Sequence, residues 1–289
     1  MDRPILQKIV RSLRRGPLER GWYPLLRALA TVCPQLKKYR VALCDGDRLF
    51  VDLSQRMCMG YFFYGGLPHE ENVHTAFERM VRWGDTAIDV GANIGYYTRL
   101  FSRLVGDDGR VWAFEPLPAA QRLLRMNVEN LTNVTVVEEA LSASNGTAML
   151  SIQAAGDTST LLPRRGIASL EVRTRTLDSM NSCFERVDWL KVDVEGEEFA
   201  VLQGAREVLR NHQPLVCFEF IPDVAAVDSV TLPKLINLFE SINEGTYEVL
   251  GLAVRPDGGL EVTNPSCGGS NLFAIPSRFK GRLEEAIHQ

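Results

Sequence analysis

Apolar positions along this chain change period at definite points. Ile5, Leu6, Ile9, Val10 and Leu13 recur at helical spacing, and Lys8, Arg11, Arg14 and Arg15 take the other face. Residues 4–15 therefore read as an amphipathic helix closed by Gly16-Pro17, and a second helix is expected over about 18–32. Tyr39, Val41 and Leu43 then alternate, Asp45-Gly46 supplies a tight turn, and Leu49, Val51 and Leu53 alternate back. That pattern predicts a β-hairpin. Residues 57–66, aromatic and punctuated by glycine, read as an irregular loop placed to cover a site.

From residue 70 onward the period switches repeatedly between helix and strand. Helices are expected over 70–82, 95–105 and 117–130, with strands over 86–90, 110–114 and 134–138. Short β-rich segments follow around 147–152 and 170–175. Strand 187–193, helix 197–210, strand 214–220, helix 232–243 and strands 246–252 and 271–275 complete the series. Strands alternating with helices at this spacing predict an α/β fold, a mostly parallel sheet covered on both faces. The turn Pro256-Asp257-Gly258-Gly259 adds an antiparallel edge. The division expected is a helical and β-hairpin appendage over residues 1–60 and one α/β domain over 61–289.

Composition narrows the classes. A chain of 289 residues with 45% hydrophobic and 24% charged residues is globular rather than disordered. No run approaches the roughly 20 apolar residues of a membrane span, and the first residues lack a signal-peptide core, so a cytoplasmic protein is expected. The six cysteines are scattered, with no C-x-x-C pair, which argues against a disulfide framework or a zinc cluster. Charge is segregated: residues 1–40 hold ten Lys or Arg against Asp2 and Glu19, while the whole chain is net −4. Such a basic lead segment suits a peripheral contact with an acidic membrane, an acidic partner, or the protein's own acidic body. The acidic body makes nucleic acid an unlikely acceptor.

Candidate chemistry starts where the first sheet strand ends. Ala87-Ile-Asp-Val-Gly-Ala-Asn-Ile-Gly-Tyr-Tyr-Thr98 joins strand to helix, and Gly91 and Gly95 let the backbone turn tightly beneath a ligand. Twenty residues beyond Gly95, the next strand ends in Glu115, a carboxylate able to accept hydrogen bonds from two vicinal ribose hydroxyls. The turn is G-x-N-x-G and no phosphate-binding G-x-x-x-x-G-K-[ST] occurs. Asp89 at this turn suits an ammonium group. These features predict an adenosine ligand with an amino-acid tail and no phosphate, S-adenosylmethionine. Asn93, Tyr97, Thr98 and Pro116 complete the candidate binding set, and residues 133–141 are expected to approach the adenine.

Asp89-Val-Gly-Ala-Asn-Ile-Gly-Tyr-Tyr-Thr98, Ala113-Phe-Glu-Pro116, Thr176-Leu-Asp178, Leu190-Lys-Val-Asp-Val-Glu-Gly-Glu197 and Val201-Leu-Gln-Gly-Ala205 together resemble the FkbM family of S-adenosylmethionine-dependent methyltransferases. The resemblance spans about residues 65–275. It implies a Rossmann-like sheet of seven strands and O-methylation of small molecules or sugars.

A second set of residues gathers at the next strand ends. Asp193 closes strand 187–193, Glu195 follows it, and Asp193 and Glu195 are expected to border the same crevice as Gly91 and Glu115. Glu197 and Glu198 fit ordinary helix N-terminal chemistry. Asp193 with Glu219, at the end of the neighbouring strand, resembles the oxygen-ligand pair of metal-dependent O-methyltransferases and would suit Mg²⁺. The competing reading makes one carboxylate a general base. Lys191 can face the crevice, although a strand lysine commonly extends to the surface, and His69 is a further candidate base. Two other classes share parts of this pattern: an NAD-dependent oxidoreductase, which prefers G-x-G-x-x-G, and a non-catalytic S-adenosylmethionine-binding protein. The acceptor expected is a small-molecule, sugar or lipid-linked hydroxyl.

Overall fold

The computed structural model describes residues 19–152, 159–160, 168–221, 230–242, 245–265 and 271–289, and the helix expected over residues 4–15 lies outside them. The second expected helix is α1 (Glu19–Val32). Strands β1 (Tyr39–Ala42) and β2 (Arg48–Val51) form the expected antiparallel hairpin, with Tyr39 opposite Val51. Its inward positions Val41, Leu49 and Val51 are fully buried and share one apolar cluster with Phe77, Phe101 and Trp189.

Residues 57–66, expected as a loop, contain helix α2 (Cys58–Tyr64). Cys58, Met59, Tyr61, Phe62 and Phe63 are all buried, which removes the polar face by which a helix is recognised in a sequence. The helix stops at Gly65, φ 74°, whose N–H donates to the Tyr61 carbonyl, and the Gly65 carbonyl accepts from Cys44 N at 2.9 Å. A glycine tolerates that left-handed conformation without strain. It thereby fastens α2 to the hairpin turn.

The main body alternates as expected: α3 (Glu71–Met80), β3 (Thr86–Val90), α4 (Tyr96–Val105), β4 (Arg110–Phe114), α5 (Pro118–Val128) and β5 (Val134–Val137). A four-stranded side sheet follows, made of β6 (Ala140–Leu141), β7 (Gly146–Ile152), β8 (Ser159–Thr160) and β9 (Ala168–Arg175). Then come β10 (Trp189–Val192), α6 (Glu198–Gln203), α7 (Arg206–His212), β11 (Leu215–Glu219), α8 (Leu232–Ile242), β12 (Tyr247–Val254), β13 (Leu260–Thr263), β14 (Asn271–Pro276) and α9 (Lys280–His288).

The central sheet runs β13-β12-β14-β11-β10-β3-β4-β5. Strands β5, β4, β3, β10 and β11 pair in parallel, and β14, β12 and β13 add antiparallel. The sheet has eight strands rather than seven. Asp257 makes the difference: its carboxylate accepts from Gly259 N at 2.8 Å, closing the turn that sends the chain back as β13.

Strand alternation splits the core across the two sheet faces. Ala87, Trp189, Cys217 and Phe273 point to the face under α3 and α4, whereas Ile88, Val90, Leu190, Val192 and Phe218 point to the other. Helix 197–210 is two helices, because Gly204 presses on residue 142: a Cβ there would lie 2.1 Å from the Ser142 carbonyl oxygen. The second piece, α7, starts anew on Asp178, whose Oδ1 accepts from Glu207 N and Val208 N. That is an N-terminal cap supplied from outside the helix.

Candidate functional site

The carboxyl ends of β3, β4, β10 and β11 open into a cavity of about 730 Å³, roofed by α2 and residues 67–70. The β3–α4 turn enters it with three consecutive odd positions in the left-handed region, Gly91 (φ 78°), Asn93 (φ 49°) and Gly95 (φ 90°). A Cβ at Gly91 would lie 1.9 Å from the Asp193 carbonyl oxygen, so this strand end has room only for glycine. Gly91 N and Ala92 N both donate to the Phe114 carbonyl at 3.0 Å, hanging the turn on the end of β4.

Glu115 continues that attachment. Its Oε2 accepts from Asn93 N and its Oε1 from Leu117 N, each at 2.8 Å. Burial pushes its carboxyl up to about 7, against the two backbone amides that favour the charge. The carboxyl also lines the cavity, and its ionised form can accept further hydrogen bonds there. Asp89, also fully buried, accepts from the Thr98 hydroxyl through Oδ2 at 2.6 Å, and its Oδ1 has no hydrogen-bond partner. An orphaned buried acceptor is costly, and a donor arriving in the cavity would satisfy it. Burial raises the Asp89 carboxyl from its ordinary value, against Lys191 and Thr98.

Lys191 reaches the same place through sheet register. It stands opposite Asp89 on β3, and alternation turns it to the Trp189 face, where it is 3% exposed. A surface-seeking lysine is thus replaced by a buried one. Its ammonium donates to Asp193 Oδ2 at 2.8 Å and lies 4.6 Å from the centre of the Tyr97 ring. Burial opposes the charge, but Asp193, Asp89 and Glu70 outweigh it and raise the ammonium above its ordinary value.

Glu70 closes the group. Tyr97 donates its hydroxyl to Glu70 Oε2 at 2.6 Å, and His69 Nε2 lies 3.3 Å from Oε1. Burial alone would raise the Glu70 carboxyl; His69, Lys191 and Tyr97 together hold it below the ordinary range. Glu70 in turn raises the His69 imidazole.

Asp89, Gly91, Asn93, Tyr97, Glu115, Pro116, Lys191, Asp193, Glu195, Glu219 and His69 all line the one cavity. Gly95 and Thr98 do not: Gly95 packs on Leu124, and Thr98 supports Asp89 from behind. Asn133 is also elsewhere, buried on Ser102 and Gly106, so the segment after β5 reaches the cavity through Glu139, Ala140 and Leu141. Glu198 accepts from Val194 N at 3.0 Å and Gly196 N at 3.1 Å and fixes the turn that carries Glu195 at φ 56°.

The Mg²⁺ expectation finds no support among the described residues. No group of three metal-ligating side chains forms there, and the Asp193 carboxylate is engaged by Lys191. Nothing in the local sequence marks Glu70, because its hydrogen-bond donor Tyr97 is brought to it only by the packing of α4. His74, which the sequence does not single out, sits 3.5 Å from the carboxylate of Glu78 and 3.0 Å from the Tyr96 hydroxyl.

A family model described as the methyltransferase FkbM domain matches residues 89–241. Among solved structures, the chain is similar to the methyltransferase FkbM of Methylobacillus flagellatus, at 19% identity over 66% of this chain and 43% of that one, with a TM-score of 0.45. A SAM-dependent O-methyltransferase of Thermotoga maritima is 17% identical over 73% and 66% of the two chains, TM-score 0.39. Fibrillarin of Aeropyrum pernix, solved with S-adenosyl-L-methionine, is 17% identical over 82% and 93%, TM-score 0.43. The chain spans less than half the length of the first of these. No curated protein matches it.

Proposed function

Because this chain belongs to the FkbM family of methyltransferases, we propose that it uses S-adenosylmethionine to methylate a hydroxyl of a small-molecule, sugar or lipid-linked acceptor inside the cavity at the carboxyl edge of its sheet. One observation carries the reading: the glycine turn after β3 and the buried Glu115 after β4 meet at a single cavity that also holds the orphaned Asp89 Oδ1. The residues fit a nucleoside with a cationic tail and no phosphate. Glu115 accepts from ribose hydroxyls, Asp89 Oδ1 accepts from an ammonium group, and Ala140, Leu141 and Leu150 offer apolar contact.

When bound, the sulfonium supplies an electrophilic methyl group. The protein's own part is positioning: the turn and the two carboxylates fix one reactant, and the roof formed by Tyr61, Tyr64 and Leu67 excludes water from the other. His69 takes the acceptor proton at a ring nitrogen, and Glu70, whose Oε1 lies 3.3 Å from His69 Nε2, holds the ring. Lys191 stays charged throughout, donates to Asp193 and favours the ionised form of Glu70. Membership of a methyltransferase family weighs against the oxidoreductase alternative.

The test combines binding with transfer. S-adenosylhomocysteine should raise the melting temperature and NAD should not, and host metabolites incubated with methyl-labelled cofactor should show a labelled product by mass spectrometry. Stabilisation by NAD alone would overturn the reading. Binding with no labelled product from broad extracts would leave a non-catalytic binding protein.

A further inference from the structure

Helix α1 has more apolar surface than the body of the protein covers. Leu26 and Ala30 are buried against the body, yet Leu25, Leu29 and Val32 are 47%, 42% and 78% exposed. With the exposed Ala28 they follow the spacing i, i+3, i+4, i+7, which is one continuous face of a helix. Scattered exposed leucines are ordinary, whereas an aligned ridge is a surface built to be covered.

The charge around that ridge has one sign. Arg27 on the helix and Lys37, Lys38 and Arg40 just after it are exposed. Residues 1–40 carry ten Lys or Arg against two acidic residues, whereas the remaining 249 carry 22 against 34. A second copy docking ridge to ridge would bring two strongly basic ends together, which disfavours that occupant. An anionic bilayer meets both requirements, since apolar side chains enter below the headgroups and basic side chains meet the lipid phosphates.

We propose that α1 is a peripheral membrane-binding face: Leu25, Leu29 and Val32 insert into an anionic lipid surface, and Arg27, Lys37, Lys38 and Arg40 hold it there by charge. No helix among the described residues is long and apolar enough to cross a membrane, and adsorption needs none. The inference stands on this helix alone and is independent of the chemistry of the cavity.

The test is co-sedimentation of the full chain with vesicles of phosphatidylcholine, with and without phosphatidylglycerol, at low and high salt. The wild type should pellet with the anionic vesicles only, and less at high salt. The triple variant Leu25→Ser, Leu29→Ser, Val32→Ser should bind them about tenfold or more weakly. Its circular dichroism and its S-adenosylhomocysteine binding should be unchanged, which separates loss of a surface from loss of the fold. Equal binding to neutral and anionic vesicles, or wild-type binding by a folded triple variant, would overturn the proposal. So would a dimer in light scattering that the triple variant abolishes, which would assign the ridge to a second copy.

Discussion

The α-carbon of Gly91 and the carbonyl oxygen of Asp193 are so close that a Cβ on the glycine would sit 1.9 Å from the oxygen. The contact joins the ends of two neighbouring parallel strands, β3 and β10, at the floor of the cavity.

Gly91→Ala is therefore expected to push β10's end away and to strain a backbone held at φ 78°. S-adenosylhomocysteine binding should disappear in titration calorimetry, with a fall in melting temperature. An alanine variant with wild-type affinity would remove this turn from the ligand site.

Glu115 makes ligand affinity depend on pH. In the ligand-free protein its carboxyl stands at about 7, above the ordinary value of 4.5. Its contribution to stability is thus fully present below 4.5 and lost as pH rises through 7. Ribose hydroxyls donate best to the ionised form, so affinity for S-adenosylhomocysteine should increase as pH rises through 7. Glu115→Gln should flatten that profile and weaken binding by about tenfold or more, the loss of one charged hydrogen bond. Calorimetry at pH 6 and 8 on both proteins checks the sign.

Lys191→Met tests the buried charge group. The ammonium lowers the carboxyls of both Glu70 and Asp89 in the folded protein, and without it their protonated forms gain. The variant's loss of stability relative to wild type should therefore be small at low pH and grow as pH rises. Denaturant midpoints at pH 4.5 and 8 should diverge. A constant difference would show that the lysine contributes packing alone.

Asn127 pins the hairpin to the cavity's turn. Its Oδ1 accepts from Phe50 N at 2.6 Å, and its Nδ2 donates to the carbonyls of Phe50 at 3.0 Å and Ile94 at 2.7 Å. Asn127→Ala should cost about 2–3 kcal/mol, since it leaves a buried carbonyl and a strand amide without partners. Faster hydrogen exchange at Phe50 should accompany the drop in the unfolding midpoint, and unchanged exchange there would argue against the clamp.

The order of strands and helices, the hairpin, the glycine turn and Glu115 were legible in the sequence. Each is announced by residues adjacent in the chain: a period of 2 or 3.6, a turn dipeptide, a carboxylate at a strand end. Helix α2 was not legible, because burial on nearly every side leaves no polar face to read. The break at Gly204 was not legible either, because it depends on a contact with Ser142 that no local period marks.

The sequence alone determined which strand ends would carry Asp89, Glu115 and Asp193, because the repeated switch of period fixes where each strand stops. Tertiary structure decided which of those groups meet. Register sets Lys191 beside Asp89, and packing of α4 over that face brings the Tyr97 ring onto the ammonium and its hydroxyl onto Glu70. The physical reason is distance along the chain: a local pattern encodes which face a side chain takes, and its neighbours across the sheet belong to segments that only the folded core brings together.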